Sequence, residues 1–190
     1  MLASSLADRA LGSVYIDMSM LPMVIMDGRH VNTWKSDHQS TPPNAVVTDY
    51  EDFKAHLWAV EGGFAWVHAY PDTGTFESWD NPELLPVLGA LLASAEAHAT
   101  ESLGKLTVTS DCIGIVPRIA SATHVTDADV AAGAKAFHEV QLDALDGNLV
   151  LVPVPNGTYE VTSETLSAEG VLQHPEIGKV MVRYRCRRVD

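Results

Sequence analysis

Cysteine is scarce in this chain, and so are positive charge and long apolar runs. Its two cysteines, Cys112 and Cys186, each sit in an apolar segment with no CxxC pair and no His/Cys cluster. That spacing encodes neither a disulfide framework nor a common zinc site, so both read as buried free thiols. Residues 1–12 carry one arginine and no continuous apolar stretch, and the longest apolar run nearby spans only residues 20–26. No signal peptide or membrane span is expected, and the cytoplasm is the expected location.

Twelve Lys and Arg stand against 25 Asp and Glu, a formal net charge of −13. Nucleic-acid binding needs a basic stripe to displace counterions, and an anionic membrane leaflet repels such a surface, so neither is an expected partner. A basic protein would be attracted. The charge is also skewed. Residues 37–101 hold eleven acids against a single base, Lys54, whereas residues 179–190 carry Lys179, Arg183, Arg185, Arg187 and Arg188 against Asp190 alone.

What is present is ordinary for a folded protein: 46% hydrophobic and 19% charged residues. At 190 residues the chain fits a single domain, 1–190, with two sub-halves of about 1–85 and 86–190 sharing one core. Short apolar stretches at 13–17 and 22–26 predict strands, with Asp27-Gly28 a turn before a third at 29–34. Thr48-Asp-Tyr-Glu51 is a capping box, and Tyr50, Phe53, Leu57 and Trp58 at helical spacing predict a helix ending at Gly62-Gly63. Residues 64–70 and 75–79, flanking Pro-Asp-Thr-Gly, predict a hairpin, and the Leu/Ala-rich stretch 87–101 a helix. Residues 105–109 and 112–118 predict a second strand pair, and 126–140 a short helix that contains Gly133.

Residues 149–154 and 158–162 flank Asn156-Gly157, a tight-turn signal that predicts another hairpin. Residues 179–189 alternate, with Val180, Val182, Tyr184 and Cys186 on one face and Met181, Arg183, Arg185 and Arg187 on the other, as in a half-exposed edge strand guarded by charge. The fold class expected is α+β: mainly antiparallel sheet built from hairpins, with two or three helices packed on it.

Motifs that carry chemistry are missing. GxSxG, glycine-rich phosphate loops, HExxH and DxDxDG do not occur. Of eight histidines, only Asp37-His38 and His138-Glu139 put a titrating pair together, and adjacent residues point apart. Met18, Met20, Met23 and Met26 suit Cu(I) by softness, but a strand would send them to both faces, and core filling is the expected role. No metal and no cofactor is expected. Trp79, between Glu77 and Asp80, is an aromatic ringed by carboxylates, a fitting anchor for a basic partner.

Several pieces in the first half carry a family resemblance: Met20-Leu21-Pro22-Met23-Val24-Ile25, Trp34, Asp49-Tyr50-Glu51, Gly63-Phe64-Ala65-Trp66-Val67 and Trp79-Asp80-Asn81-Pro82-Glu83. In this order they resemble a family of predicted bacterial immunity proteins, the twenty-first numbered group of the polymorphic-toxin classification. Met20-Leu21 stands where that family has a glycine pair. The resemblance covers roughly half the chain and implies a protein that binds and occludes a cognate toxin without turnover.

The expected function is therefore neutralisation of a toxin, basic and nuclease-like in character, through an acidic surface that includes Glu61, Asp72, Glu77, Trp79, Asp80 and Glu83. Two alternatives stand beside it. One is a small-molecule hydrolase or ligand-binding enzyme whose site is assembled from distant residues, for example His68 and Asp72 facing His138. The other is a phage or mobile-element accessory protein that binds a host factor.

Overall fold

Residues 112–117 (Cys-Ile-Gly-Ile-Val-Pro) and 148–153 (Asn-Leu-Val-Leu-Val-Pro) have little polar alternation. Strands of that kind are stable only when both faces are covered. The computed structural model describes residues 10–15, 22–35, 43–48, 54–68, 95–142, 147–167 and 180–190, and it buries both of those strands nearly from end to end.

Eleven strands are described: β1 (Ala10–Tyr15), β2 (Met23–Asp27), β3 (Ala45–Val47), β4 (Lys54–Val60), β5 (Gly63–His68), β6 (Ala97–Val108), β7 (Cys112–Pro117), β8 (His138–Gln141), β9 (Asn148–Pro153), β10 (Gly157–Ser167) and β11 (Val180–Arg188). They form two antiparallel sheets, a six-stranded one ordered β1-β4-β5-β11-β10-β6 and a five-stranded one ordered β3-β2-β7-β9-β8. Both sheets draw strands from both halves of the chain.

The sheets share one apolar layer. Leu57, Phe64, Trp66, Tyr184, Cys186, Tyr159 and Val161 of the larger sheet meet Met23, Ile25, Ile113, Ile115, Val150 and Val152 of the smaller. Trp66 stacks between Phe64 and Tyr184 at centroid distances of 5.7 and 5.3 Å. On the far side of the smaller sheet, Val24, Met26, Cys112, Val116, Leu149 and Leu151 form a second cluster. A 3-10 helix (Gly28–Thr33), the loop through Ala120, Ala122 and Val125, and helix α1 (Asp127–Gly133) cover it.

Several sequence expectations are corrected. Residues 54–60, expected in a helix, form β4, because Ala55 and Leu57 face the shared core while His56 and Trp58 are buried on the opposite face. Pairing on both edges outweighs the local helix signal. The Gly-Gly taken as a helix stop is the β4–β5 hairpin turn, with Gly62 at φ +77°. Residues 28–33 are the 3-10 helix in place of a strand, with Asp27 as its cap. Residues 97–101, expected to end a helix, begin β6. Residues 105–109 and 112–118 do not pair, since β6 and β7 lie in different sheets.

The 126–140 helix shortens to α1, and His138 starts β8. β5 is paired by β4 and β11, so its expected hairpin with 75–79 does not form along 63–67. Residues 75–79 themselves lie outside the described residues, as do 87–94. Asn156-Gly157 is not a hairpin turn either. β9 and β10 belong to different sheets, Asn156 has no positive φ, and its side-chain oxygen accepts from Asp111 N at 2.9 Å. β11 alternates as expected but is central, flanked by β5 and β10, and its Arg183 is buried. Mainly antiparallel sheet is therefore what the chain builds, and helix among the described residues is limited to α1 and the 3-10 turn.

Gly133 ends α1 where the helix crosses β9, and a Cβ there would stand 2.4 Å from Leu151 Cβ. Alanine is the better helix former by about 1 kcal/mol, but overpacking costs about 1–3 kcal/mol. Gly133→Ala is expected to lower the urea-unfolding midpoint. A raised midpoint would show that α1 does not press on the sheet this closely.

Candidate functional site

Asp27 closes β2 fully buried, where an unpaired carboxylate would be costly. It accepts from Thr109 N (2.9 Å), Thr109 Oγ1 (2.6 Å), Ser110 Oγ and Arg29 N (3.4 Å), and Arg29 Nε lies 3.3 Å away. Burial pushes its pKa up, but the hydrogen bonds from Ser110, Thr109 and Arg29 outweigh that and hold it below the usual 3.8. The charge thus pins the end of β2 to the β6–β7 turn. Cys112 Sγ sits 3.6 Å from Ser110 Oγ; burial raises its pKa, and the nearby Asp27 charge adds to the rise. It is a thiol rather than a ready nucleophile.

Beside this lock lies a cavity of about 330 Å³ lined by Met26, Arg29, His30, Thr33, Trp34, Pro43 and Asn44. Arg29 Nε is 3.2 Å from His30 Nε2. The Asn44 amide is committed to main chain: its Nδ2 donates to Thr107 O at 2.9 Å and its Oδ1 accepts from Thr107 N at 2.7 Å.

A second polar group forms at the start of α1. Asp129 completes a capping box with Thr126, and His138 Nε2 of β8 lies 3.1 Å from its Oδ1. The Thr126 hydroxyl, then the Thr126 backbone N–H, then His138 bring the Asp129 pKa down to about 2. His138 therefore serves a helix cap. His68 belongs to β5 in the other sheet, and Asp72, and with it the sequence-based trio, lies outside the described residues.

The third group lies on the outer face of the six-stranded sheet. Glu164 Oε2 accepts from Arg183 Nε (2.6 Å) and pairs with Arg183 Nη2 (2.5 Å), with Arg185 Nε 3.0 Å away. Glu164, Arg183, His56 and Trp58 are all buried there, and the His56 and Trp58 rings tilt at 5.9 Å. Burial lowers the Arg183 pKa, and the Glu164 carboxylate opposes that. The arginines read as edge guards thus form an internal ion pair between neighbouring central strands.

Of the residues expected to bind a partner, Glu61 is exposed at the β4–β5 turn, three strands from β6. Asp72, Glu77, Trp79, Asp80 and Glu83 lie outside the described residues. Met23 and Met26 enter opposite apolar clusters, and Met18 and Met20 are not described. Among the described residues no three His, Cys, Asp or Glu side chains gather as metal ligands, and no helix is long and apolar enough to cross a membrane.

Sequence reasoning missed the edge of β6 that no described strand covers. Its downstream half is sealed at Thr107 by Asn44 and irregular near Gly104, but residues 97–102 are exposed and pair with β10 alone among the described residues. The run Ala-His-Ala-Thr-Glu-Ser carries no proline or lysine guard, the signal that could have marked it.

Glu164→Leu leaves the buried Arg183 short of its carboxylate, and removing one member of a buried pair costs about 3–5 kcal/mol. The double variant Arg183→Met/Glu164→Leu is expected to be more stable than Glu164→Leu in urea unfolding. A double variant less stable than the single one would contradict the pairing.

No family model matches this chain, and no curated protein or solved structure does either.

Proposed function

We propose that this chain is a cytoplasmic immunity protein that neutralises a cognate toxin by occlusion, and that the open half of β6 receives an extended segment of that toxin. The observation that carries the reading is an exposed sheet edge, residues 97–102, that no described strand covers, in a chain of net charge −13. Exposed edges template pairing with another chain, and main-chain hydrogen bonds along them supply affinity. Glu96, Glu101 and Glu160 stand along or beside this stretch with Lys105 as the nearby cation, so a basic segment fits better than a second copy of this acidic chain. The acidic residues Glu61, Asp72, Glu77, Asp80 and Glu83, close to Trp79 in the sequence, would add the field that speeds capture of a basic, nuclease-like toxin. No cofactor and no nucleic acid enters this account.

The alternative, a protein that binds or acts on a small molecule, draws on the cavity beside Arg29.

The test is co-expression with the toxin encoded next to this chain. Thr107 turns both its N–H and its C=O to Asn44, away from β10. The alternation of an antiparallel ladder then points the Thr100 N–H, opposite Glu164, to the open side as well. Proline is tolerated at such an edge position and blocks an incoming strand. The native chain is expected to restore growth and Thr100→Pro to lose that protection with an unchanged unfolding midpoint. No rescue by the native chain removes the immunity reading; full rescue by Thr100→Pro removes β6 as the contact.

A further inference from the structure

Around the 330 Å³ cavity the available hydrogen-bonding groups are nearly all donors. Arg29 uses its backbone N–H and Nε in the contacts to Asp27, Ser110 and His30, which leaves the two terminal amino groups of its guanidinium without a hydrogen-bond partner among the described residues. His30 accepts from Arg29 through Nε2, so its proton sits on Nδ1, a further donor. Trp34 is 6% exposed, lines the same cavity, and its indole N–H meets no acceptor. A buried donor left unmade is costly, and native structures rarely keep one without a reason.

Most side-chain acceptors are already used. Asp27 is saturated and the Asn44 amide is held by Thr107, while the Thr33 hydroxyl gives its proton to His30 O at 2.7 Å and keeps only its oxygen as an acceptor. Met26, Trp34 and Pro43 supply apolar walls. In a chain of net charge −13, a recess that offers mainly donors, around a guanidinium whose Nε side is balanced by Asp27 and whose terminal amino groups are open, is an exception to its surroundings.

The geometry points to this recess as a binding site for a small carboxylate with a flat apolar body. The planar fork of a guanidinium matches a carboxylate with two parallel hydrogen bonds, and the indole face and methionine accept an apolar ring or short chain. A single cation suits a monoanion better than a phosphate dianion, which this acidic chain would repel. The volume falls at the lower end of known ligand cavities, fitting a ligand of metabolite size. This site is independent of toxin capture at β6.

Calorimetric titration of the full chain with phenylacetate and with its neutral isostere phenylacetamide tests it, together with the indole N–H resonance of Trp34 assigned through Trp34→Phe. Saturable phenylacetate binding that shifts the Trp34 resonance is expected, with affinity roughly ten-fold lower for phenylacetamide and for Arg29→Gln. Arg29→Lys keeps the charge beside Asp27 but loses the fork, and it too is expected to bind several-fold more weakly. Absence of saturation, equal binding of acid and amide, or unchanged affinity in Arg29→Lys would overturn the assignment.

Discussion

The small sheet has almost no polar face, and the rest of the molecule follows from that constraint. Strands β2, β7 and β9 alternate apolar residue with apolar residue, so both surfaces must leave water. One surface is met by the six-stranded sheet through a layer of aromatic and β-branched side chains. The other is met by the 3-10 turn, the loop after β7 and α1, pieces too short to be stable alone. Covering a sheet with such pieces leaves a seam, and the cavity walled by Arg29, His30 and Trp34 is that seam.

Two buried polar contacts, one around Asp27 and one between Glu164 and Arg183, favour these strand neighbours. Asp27 accepts from both residues of the Thr109-Ser110 turn, so β2 can end only beside the β6–β7 connection. Glu164 faces Arg183 directly across the β10–β11 ladder, and a one-residue slip of either strand would turn its charge to the apolar layer and part the pair. Such pairs add little net stability against apolar substitutes, and their role here is to single out one register. The larger sheet is left with β6 at one margin, half of it sealed by an asparagine amide and half open.

Legibility in the sequence followed the range of the forces involved. The alternation of residues 180–188 was readable because it is local, and its apolar face, with Val182, Tyr184 and Cys186, is the one that joins the shared core. Its position in the middle of the sheet was not, because that depends on β5 and β10, far away in the chain. Asn156-Gly157 marks a change of direction, but a turn signal does not say whether the chain stays in one sheet or crosses to the other. Leu57 and Trp58 satisfied helical spacing and strand pairing alike, and pairing with β1 and β5 decided between them. At the candidate site, Asp27-Gly28 was rightly seen as a turn, but the donor-rich recess needed the 3-10 helix to bring Arg29, His30 and Trp34 together.

A molecule organised this way has an interior closed on both faces and, at β6, a margin that no described strand covers. Residue-resolved amide hydrogen exchange on the isolated protein tests that contrast most directly. Amides of β2, β7 and β9 are expected to exchange only through global unfolding, while outward N–H groups within residues 97–102 exchange faster by orders of magnitude. Uniform strong protection of residues 97–102, or rapid exchange in β7 and β9, would contradict the account.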